Sequence, residues 1–573
     1  MPVRNRHTWV WGLMFLMAGT MFLSGLDRLP FTDRDEGEYA TVAQAMIERS
    51  DWVIPHVNGR PYYEKPALFF WLMALSFQTF GQNEAAGRLP SALAGLALVG
   101  LMAWFARRRG GDTLGLLSAL MTSSSLLTVL LARVALLDML LTLFTTASLF
   151  FFYEGYVAET DDGRRRFYLW AWLAMSLAFL TKGPVGAVVP LSAAFLTSTL
   201  NRNLFQTVKQ ARIPSGLLIF LAVAGPWYGL ALMREGDNFW RGFFISQNVT
   251  RFSEVLLGHG APIWFYIPVL ILGVWPWSLM AAPALWRGLT GAKPAERKAN
   301  PEASLNFFLG LWLAACLLIF SLSATKQPNY ILPAVPAVVL LAAGWGRGLL
   351  AGGGKAKGVR VIFVLIVFVG LILAGSLMVL PPFLPSLLDQ ARIKINPDSS
   401  EYALPEQALA LGWEVFTVGA LLSGCLLAAS ISLFSGRRRA ALIALAAAGV
   451  SLTAGLFHLT APPVLDYLQT PARDLAFQVR QTIGREGRVA SFGLYKPSMW
   501  YYTGRRIERI RTNEVRELDK FLASPERVML LSRLSLLAVL KERPGFRLLR
   551  VAGGYILADN RAEGLRSAGG GRP

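Results

Sequence analysis

Cysteine is almost missing from this chain: two occur among 573 residues, Cys316 and Cys425, each inside an apolar run. That excludes a disulfide framework and a cysteine metal centre; both read as small core side chains. Charge is scarce too. Only 16% of residues are charged, where a soluble domain carries about a quarter. Acidic residues are the scarcer sign, 36 against 56 basic ones, and histidine occurs 4 times. Apolar residues fill the gap: 54% of the chain is hydrophobic and mean hydropathy is +0.44. Apolar runs long enough to cross a bilayer recur along most of the length. The net charge of +20 would suggest nucleic acid in a soluble protein. Here the basic residues stand in short clusters between apolar runs, as the positive-inside rule produces, so no nucleic-acid partner is expected.

About thirteen spans are expected, near 9–26, 89–105, 114–131, 136–153, 167–180, 185–200, 213–233, 263–285, 305–322, 331–345, 361–380, 411–434 and 440–459. With that division the basic loops share one side, which is then cytoplasmic. They hold Arg4 and Arg6; Arg107, Arg108 and Arg109; Arg164, Arg165 and Arg166; Arg202, Lys209 and Arg212; Lys293, Arg297 and Lys298; Lys355, Lys357 and Arg360; and Arg437, Arg438 and Arg439. No small-residue cleavage site follows the first apolar stretch, which reads as an uncleaved span. Segment 66–80 is apolar but short, and counting it as a span would invert every later loop. It reads as a juxtamembrane helix in the outer interface.

The odd span count places the tail outside. Short apolar runs at 489–494, 528–531 and 555–558 alternate there with more polar, helix-like stretches such as 512–521. That pattern predicts a small α/β domain. The expected division is a transmembrane catalytic domain at 1–460, with its main motifs in the first outer loop at 27–88. An extracytoplasmic α/β domain at 461–566 and a Gly-rich disordered tail at 567–573 follow.

The remaining ionisable residues near the spans collect on the outer side. The first outer loop holds Asp33, Asp35, Glu36, Glu38, Asp51, His56, Glu64 and Lys65; later loops add Arg133, Asp138, Lys182, Arg241, Arg251, His259 and Lys326. Basic residues are disfavoured on that side, and an anionic ligand explains them: Lys meets phosphate as a point charge and Arg as a fork. Sugar transfer from a polyprenyl phosphate needs such cations to neutralise the leaving group. It also needs an acid to orient the acceptor or take its proton. Each motif alone has a plainer reading. Asp35 and its neighbours suit a helix N-terminus, and Asp138 suits a structural pair with Arg133.

Taken in order, the motifs resemble one family. Asp33-Arg34-Asp35-Glu36-Gly37-Glu38-Tyr39-Ala40, then Ser50-Asp51-Trp52-Val53-Ile54-Pro55-His56, then Tyr62-Tyr63-Glu64-Lys65-Pro66-Ala67 are similar to the bacterial lipid A aminoarabinose transferases. Those belong with the protein O-mannosyltransferases in the GT-C fold. Ala132-Arg133-Val134-Ala135-Leu136-Leu137-Asp138, Leu180-Thr181-Lys182-Gly183-Pro184, Pro226-Trp227-Tyr228, Arg251-Phe252, Pro276-Trp277-Ser278 and Lys326-Gln327-Pro328-Asn329-Tyr330 continue the match. It runs from the first span to about Trp345. The resemblance implies a polytopic α-helical GT-C glycosyltransferase of the inner membrane, acting at its periplasmic face. The donor is a pentose or hexose on undecaprenyl phosphate, transferred with inversion to lipid A, another glycolipid or a protein hydroxyl. Lipopolysaccharide modification and protein O-glycosylation are therefore the roles in view.

By the same resemblance Asp35 is the acidic residue near the reacting centre and Asp138 the second. Glu64 and Lys65 face the carrier phosphate, with Lys65 contacting it. Arg251 and Lys326 bind phosphate, and Tyr330 walls the cavity. Glu36, Tyr39, Tyr63 and Lys182 complete the expected substrate-binding set. Family members tend to carry Glu-His before the Arg-Phe pair; here Gln247-Asn248-Val249-Thr250 precedes it, so no histidine stands there for a metal. No cofactor is required by these motifs. A divalent ion on Glu64, His56 or His259 is the alternative. A transporter or flippase of lipid-linked sugars is the rival class, and it predicts charges near the membrane midplane. A non-catalytic assembly subunit, binding through its tail, is the third.

Overall fold

The computed structural model describes residues 8–255, 260–291, 293–353, 356–394, 409, 411–483 and 487–561. Arg4, Arg6, His259, Lys355 and the tail at 567–573 lie outside them.

Apolar segments bounded by Gly, Pro and basic residues form helices, and each expected span carries one. The first eight are α1 (Thr8–Leu23), α2 (Asp35–Arg49), α3 (Leu68–Phe80), α4 (Glu84–Ser124), α5 (Leu126–Ala132), α6 (Asp138–Tyr156), α7 (Asp161–Lys182) and α8 (Val185–Leu200). α4 is a hairpin. Its helical dihedrals break at Gly110 and Gly111, the latter at φ +80, a conformation glycine adopts without strain. A Cβ on Gly115 would lie 3.0 Å from the Arg107 Cβ and 3.1 Å from the Ala103 carbonyl, so the two legs run back along each other.

Among the described residues, six helices are long and apolar enough to cross a membrane alone, or up to eight if each bent pair is one span. That is fewer than the thirteen expected. α1 and α8 have only 16 residues each, and Tyr266–Gly273 turns by 119° into Ser278–Thr290. The helix Val335–Leu350 is buried nearly all round, at the centre of the bundle. The helix Lys357–Val379 instead exposes Val361, Val364, Leu365, Phe368, Leu371 and Ile372. Such an apolar face suits lipid and not water.

The juxtamembrane expectation for 66–80 meets α3, whose Phe69, Phe70, Met73, Ala74 and Phe77 are buried. Beside it a two-residue hairpin pairs β1 (His56–Val57) with β2 (Arg60–Pro61). The C-terminal α/β unit forms as expected. Its five strands, β3 (Arg488–Phe492), β4 (Ile507–Ile510), β5 (Val528–Arg533), β6 (Arg547–Ala552) and β7 (Tyr555–Asp559), stand in the order β4-β3-β5-β7-β6. β3 pairs in parallel with β4 and β5, and the last three are antiparallel neighbours. The helices Pro497–Thr503 and Val515–Leu522 make the crossovers.

Candidate active site

Six segments far apart in sequence meet where α2 and α6 begin and α7 ends. Asp138 is the first residue of α6 and Lys182 the last of α7. Lys182 Nζ donates to Asp138 Oδ1 at 2.6 Å, and Asn329 Nδ2 donates to Oδ2 at 3.1 Å. The Lys182 ammonium lies 4.6 Å from the Tyr330 ring centre, and the Arg251 guanidinium 5.8 Å from the same ring. Gly183, at φ +76, ends α7 directly after Lys182; a Cβ there would lie 2.6 Å from Phe243.

Asp35 opens α2 and faces this group. Burial pushes its carboxyl above the usual range, and the nearby Asp138 charge adds to that; Lys65, Arg251 and Lys182 pull it back. Burial also brings Lys65 down to about 8. Glu64 opposes that shift, while the cations Arg251 and Lys182 reinforce it. Glu38 is pushed up to about 8 by burial and by the carboxylates Glu64 and Asp35. Tyr39 packs edge-on against Phe69 and Phe70, and its phenol is held up by burial and by Asp35 and Asp138. Asp35, Lys65, Lys182, Arg251 and Tyr330 are each partly exposed, so a ligand can reach them. The result is a cluster of three cations and two acids around the Tyr330 ring.

The site stands at the opposite end of α6 from the basic α4 hairpin. There Glu154 accepts from Arg108 at 2.8 Å and Arg109 at 2.7 Å. Asp138 and Glu154 are sixteen residues apart on one helix, roughly 25 Å along its axis.

Several expected roles are corrected. Glu36 does not face a substrate. It is buried, pairs with Arg88 at 2.8 and 3.0 Å, and accepts from the Ala135 N–H at 2.7 Å and from Thr32. Those donors saturate its oxygens, and Arg88 pulls the carboxyl below its usual range against the cost of burial. Tyr63 turns away to donate to Glu235 at 2.5 Å, its ring against Phe239. Lys326 donates to the Ser323 carbonyl at 2.6 Å, which ties it to its own turn. Arg133 does not pair with Asp138; it donates to the Met21 and Ser24 carbonyls at the end of α1. His56 bonds the Ile54 carbonyl at 2.8 Å. Among the described residues no group of three His, Cys, Asp or Glu side chains could hold a metal ion; His259, the third candidate beside Glu64 and His56, lies outside them.

Sequence reasoning missed Asn329, although it lies within a quoted motif. It also missed three contacts from the C-terminal domain. Lys496 Nζ donates to Asp33 Oδ2 at 2.6 Å, and the Ser498 N–H donates to Asp33 Oδ1 at 2.8 Å. Tyr495 lies under Arg34 and Arg509, with ring-centre distances of 5.6 and 4.6 Å. No sequence signal pairs residues more than 450 positions apart.

A family model described as dolichyl-phosphate-mannose-protein mannosyltransferase matches residues 33–235. The undecaprenyl phosphate-alpha-4-amino-4-deoxy-L-arabinose arabinosyl transferase of Aeromonas salmonicida is 31% identical over 426 residues, 72% of this chain and 71% of that protein. The chain belongs to this arabinosyl transferase family. The Yersinia enterocolitica arabinosyl transferase is 33% identical over 343 residues, and the match spans only 58% of its length. The crystal structure of ArnT from Cupriavidus metallidurans superposes with a TM-score of 0.79 at 21% identity, covering 97% of this chain and 99% of that one. The arabinosyl transferase fold, a multi-pass helical GT-C membrane domain followed by a small α/β unit, is therefore that of this chain.

Proposed function

We propose that the protein transfers a sugar, 4-amino-4-deoxy-L-arabinose by analogy with its relatives, from undecaprenyl phosphate to lipid A at the periplasmic face of the inner membrane. The observation that carries this is the grouping of Asp35 with Lys65, Lys182, Arg251 and Asp138, whose charges all act on its carboxyl, around the 2.6 Å Lys182–Asp138 pair. The Cupriavidus metallidurans ArnT is described as bound to undecaprenyl phosphate, the kind of anion three cations would take. The site's position at one end of α6, away from the basic hairpin, favours interface chemistry over a flippase with charges at the midplane.

Lys65, Lys182 and Arg251 bind the carrier phosphate and neutralise charge as it leaves. Tyr330 keeps two of these cations oriented through its ring. The acceptor oxygen bonds to the anomeric carbon as the bond from that carbon to the phosphate oxygen breaks. Undecaprenyl phosphate departs with the electron pair. Asp35 orients the acceptor and takes its proton when it carries one. A single displacement of this kind inverts the anomeric centre.

The test is transfer in proteoliposomes holding undecaprenyl-phosphate aminoarabinose and lipid A, followed by mass spectrometry. Asp35→Asn and Lys65→Ala are expected to abolish product while the protein still inserts. Full activity in Asp35→Asn removes the acidic role. Transport of the donor without a new glycosidic bond would replace the transferase reading with the flippase.

A further inference from the structure

The C-terminal domain grips the segment that carries Asp35. Lys496 lies between β3 and the helix Pro497–Thr503. It donates to Asp33 Oδ2 at 2.6 Å and to Gln469 Oε1 at 2.9 Å. The Ser498 N–H and hydroxyl donate to the same Asp33 carboxylate at 2.8 and 3.0 Å. Both side chains of the ion pair are 0% exposed. Gly37, in the first turn of α2, lets the two backbones touch: a Cβ there would lie 2.5 Å from the Ser498 Cα and N.

A buried ion pair is an inefficient way to hold two domains together. Desolvation offsets much of the attraction, and apolar contacts of similar volume do as well or better. What converging charged donors supply is a defined position for the carboxylate. That position matters here because Asp33 is two residues before Asp35. The residue capping α2 is Arg34, which makes no side-chain cap hydrogen bond. The first turn of α2 is therefore held from outside, by Glu36 on Arg88 and by Asp33 on Lys496.

We propose that Lys496 is a positioning residue for the transfer reaction: through its ion pair with Asp33, the C-terminal domain sets the first turn of α2 and with it the Asp35 carboxylate. This rests on the transferase reading of the cluster. It makes the C-terminal domain part of the catalytic apparatus and not only an appended binding module.

The experiment compares two cuts in one interface, using the full chain in proteoliposomes with undecaprenyl-phosphate aminoarabinose and lipid A. Lys496→Met removes the charge and keeps most of the stem. Asn58→Ala removes a second contact, in which Asn58 donates to the Ile507 carbonyl at 2.9 Å and accepts from its N–H at 2.8 Å. Donor KM, kcat, Tm and hydrogen exchange over residues 31–41 are recorded. Lys496→Met is expected to lower kcat roughly a hundredfold, as a small misplacement of a reacting group does. Donor KM should stay nearly unchanged, and exchange over 31–41 should quicken. Asn58→Ala should lower Tm with kcat close to wild type, and Lys496→Arg should recover part of the lost kcat. Should Lys496→Met fail to fold, the neutral pair Asp33→Asn with Lys496→Gln is expected to show the same split.

Parallel losses of kcat and Tm in both variants would mean a purely structural role and overturn the proposal, as would wild-type kcat in folded Lys496→Met. If the wild type yields no product, the transferase reading fails. Exchange over 31–41 then still decides whether Lys496 orders the turn, and no change there sinks the positioning role.

Discussion

Lys182 and Asp138 join the end of α7 to the beginning of the helix before it, α6, across 2.6 Å. The acid sits where the backbone dipole of α6 is positive and the base where that of α7 is negative, so each helix stabilises its own charge. Both side chains are largely buried, at 14% and 4% exposure for Lys182 and Asp138. The pair therefore fixes an ammonium beside Tyr330 while leaving it accessible to an anion.

Asp138→Ala should leave that ammonium without its counter-charge. The expected loss is about 3–5 kcal/mol of stability, together with loss of transfer. Thermal melting of the purified protein checks the first and product formation the second. An unchanged Tm would show that the pair contributes nothing to the fold. Asp138→Asn keeps a polar partner and should melt between the two.

The cluster should impose a bell-shaped dependence of kcat/KM on pH. Asp35 works as its carboxylate, and its raised pKa means activity climbs with pH later than an ordinary aspartate would allow. Lys65 works as its ammonium, so activity falls as pH rises through about 8. Lys65→Arg should carry the alkaline limb upward, because guanidinium stays charged. An alkaline limb that is identical in Lys65→Arg would assign it to another group.

Glu36 and Arg88 should behave as fold residues. Arg88 also donates to the Leu26, Leu29 and Pro30 carbonyls, so it gathers the first loop onto α4. Glu36→Ala exposes nothing and leaves a buried guanidinium uncompensated, at about 3–5 kcal/mol. Folded yield and Tm should fall together. Any protein that still folds should keep donor affinity, as measured by binding of undecaprenyl phosphate.

Gly37→Ala tests the close approach of α2 to the C-terminal domain. The added methyl meets backbone at 2.5 Å, and backbone cannot swing aside as a side chain can. A destabilisation of about 1–3 kcal/mol is expected. A melting curve matching wild type would show that the two elements separate freely.

Much of this architecture was legible because bilayer helices and buried strands leave strong local patterns. β3, β5 and β7 lie at the middle of their sheet and are nearly continuous apolar runs, so they could be read directly. β4 and β6 were missed: as edge strands they are interrupted by charge, Glu508 and Arg509 in one and Arg547 and Arg550 in the other, and look like loop. The charged motifs were legible as a set, through their order. Their individual roles were not, since Glu36 and Asp35 are adjacent and chemically similar, yet one is locked in a buried pair and the other faces the cluster.

Composition, span length and charge placement by themselves determined that this chain is a helical membrane protein with its reactive charges away from its basic loops, because a bilayer imposes those patterns on any sequence that crosses it. Tertiary structure alone decided which acid meets which base. Asp138 takes Lys182 instead of the nearby Arg133, and Asp33 takes Lys496 from the far end of the chain. Coulomb attraction selects partners by distance in space, and that distance is set only once the helices have packed.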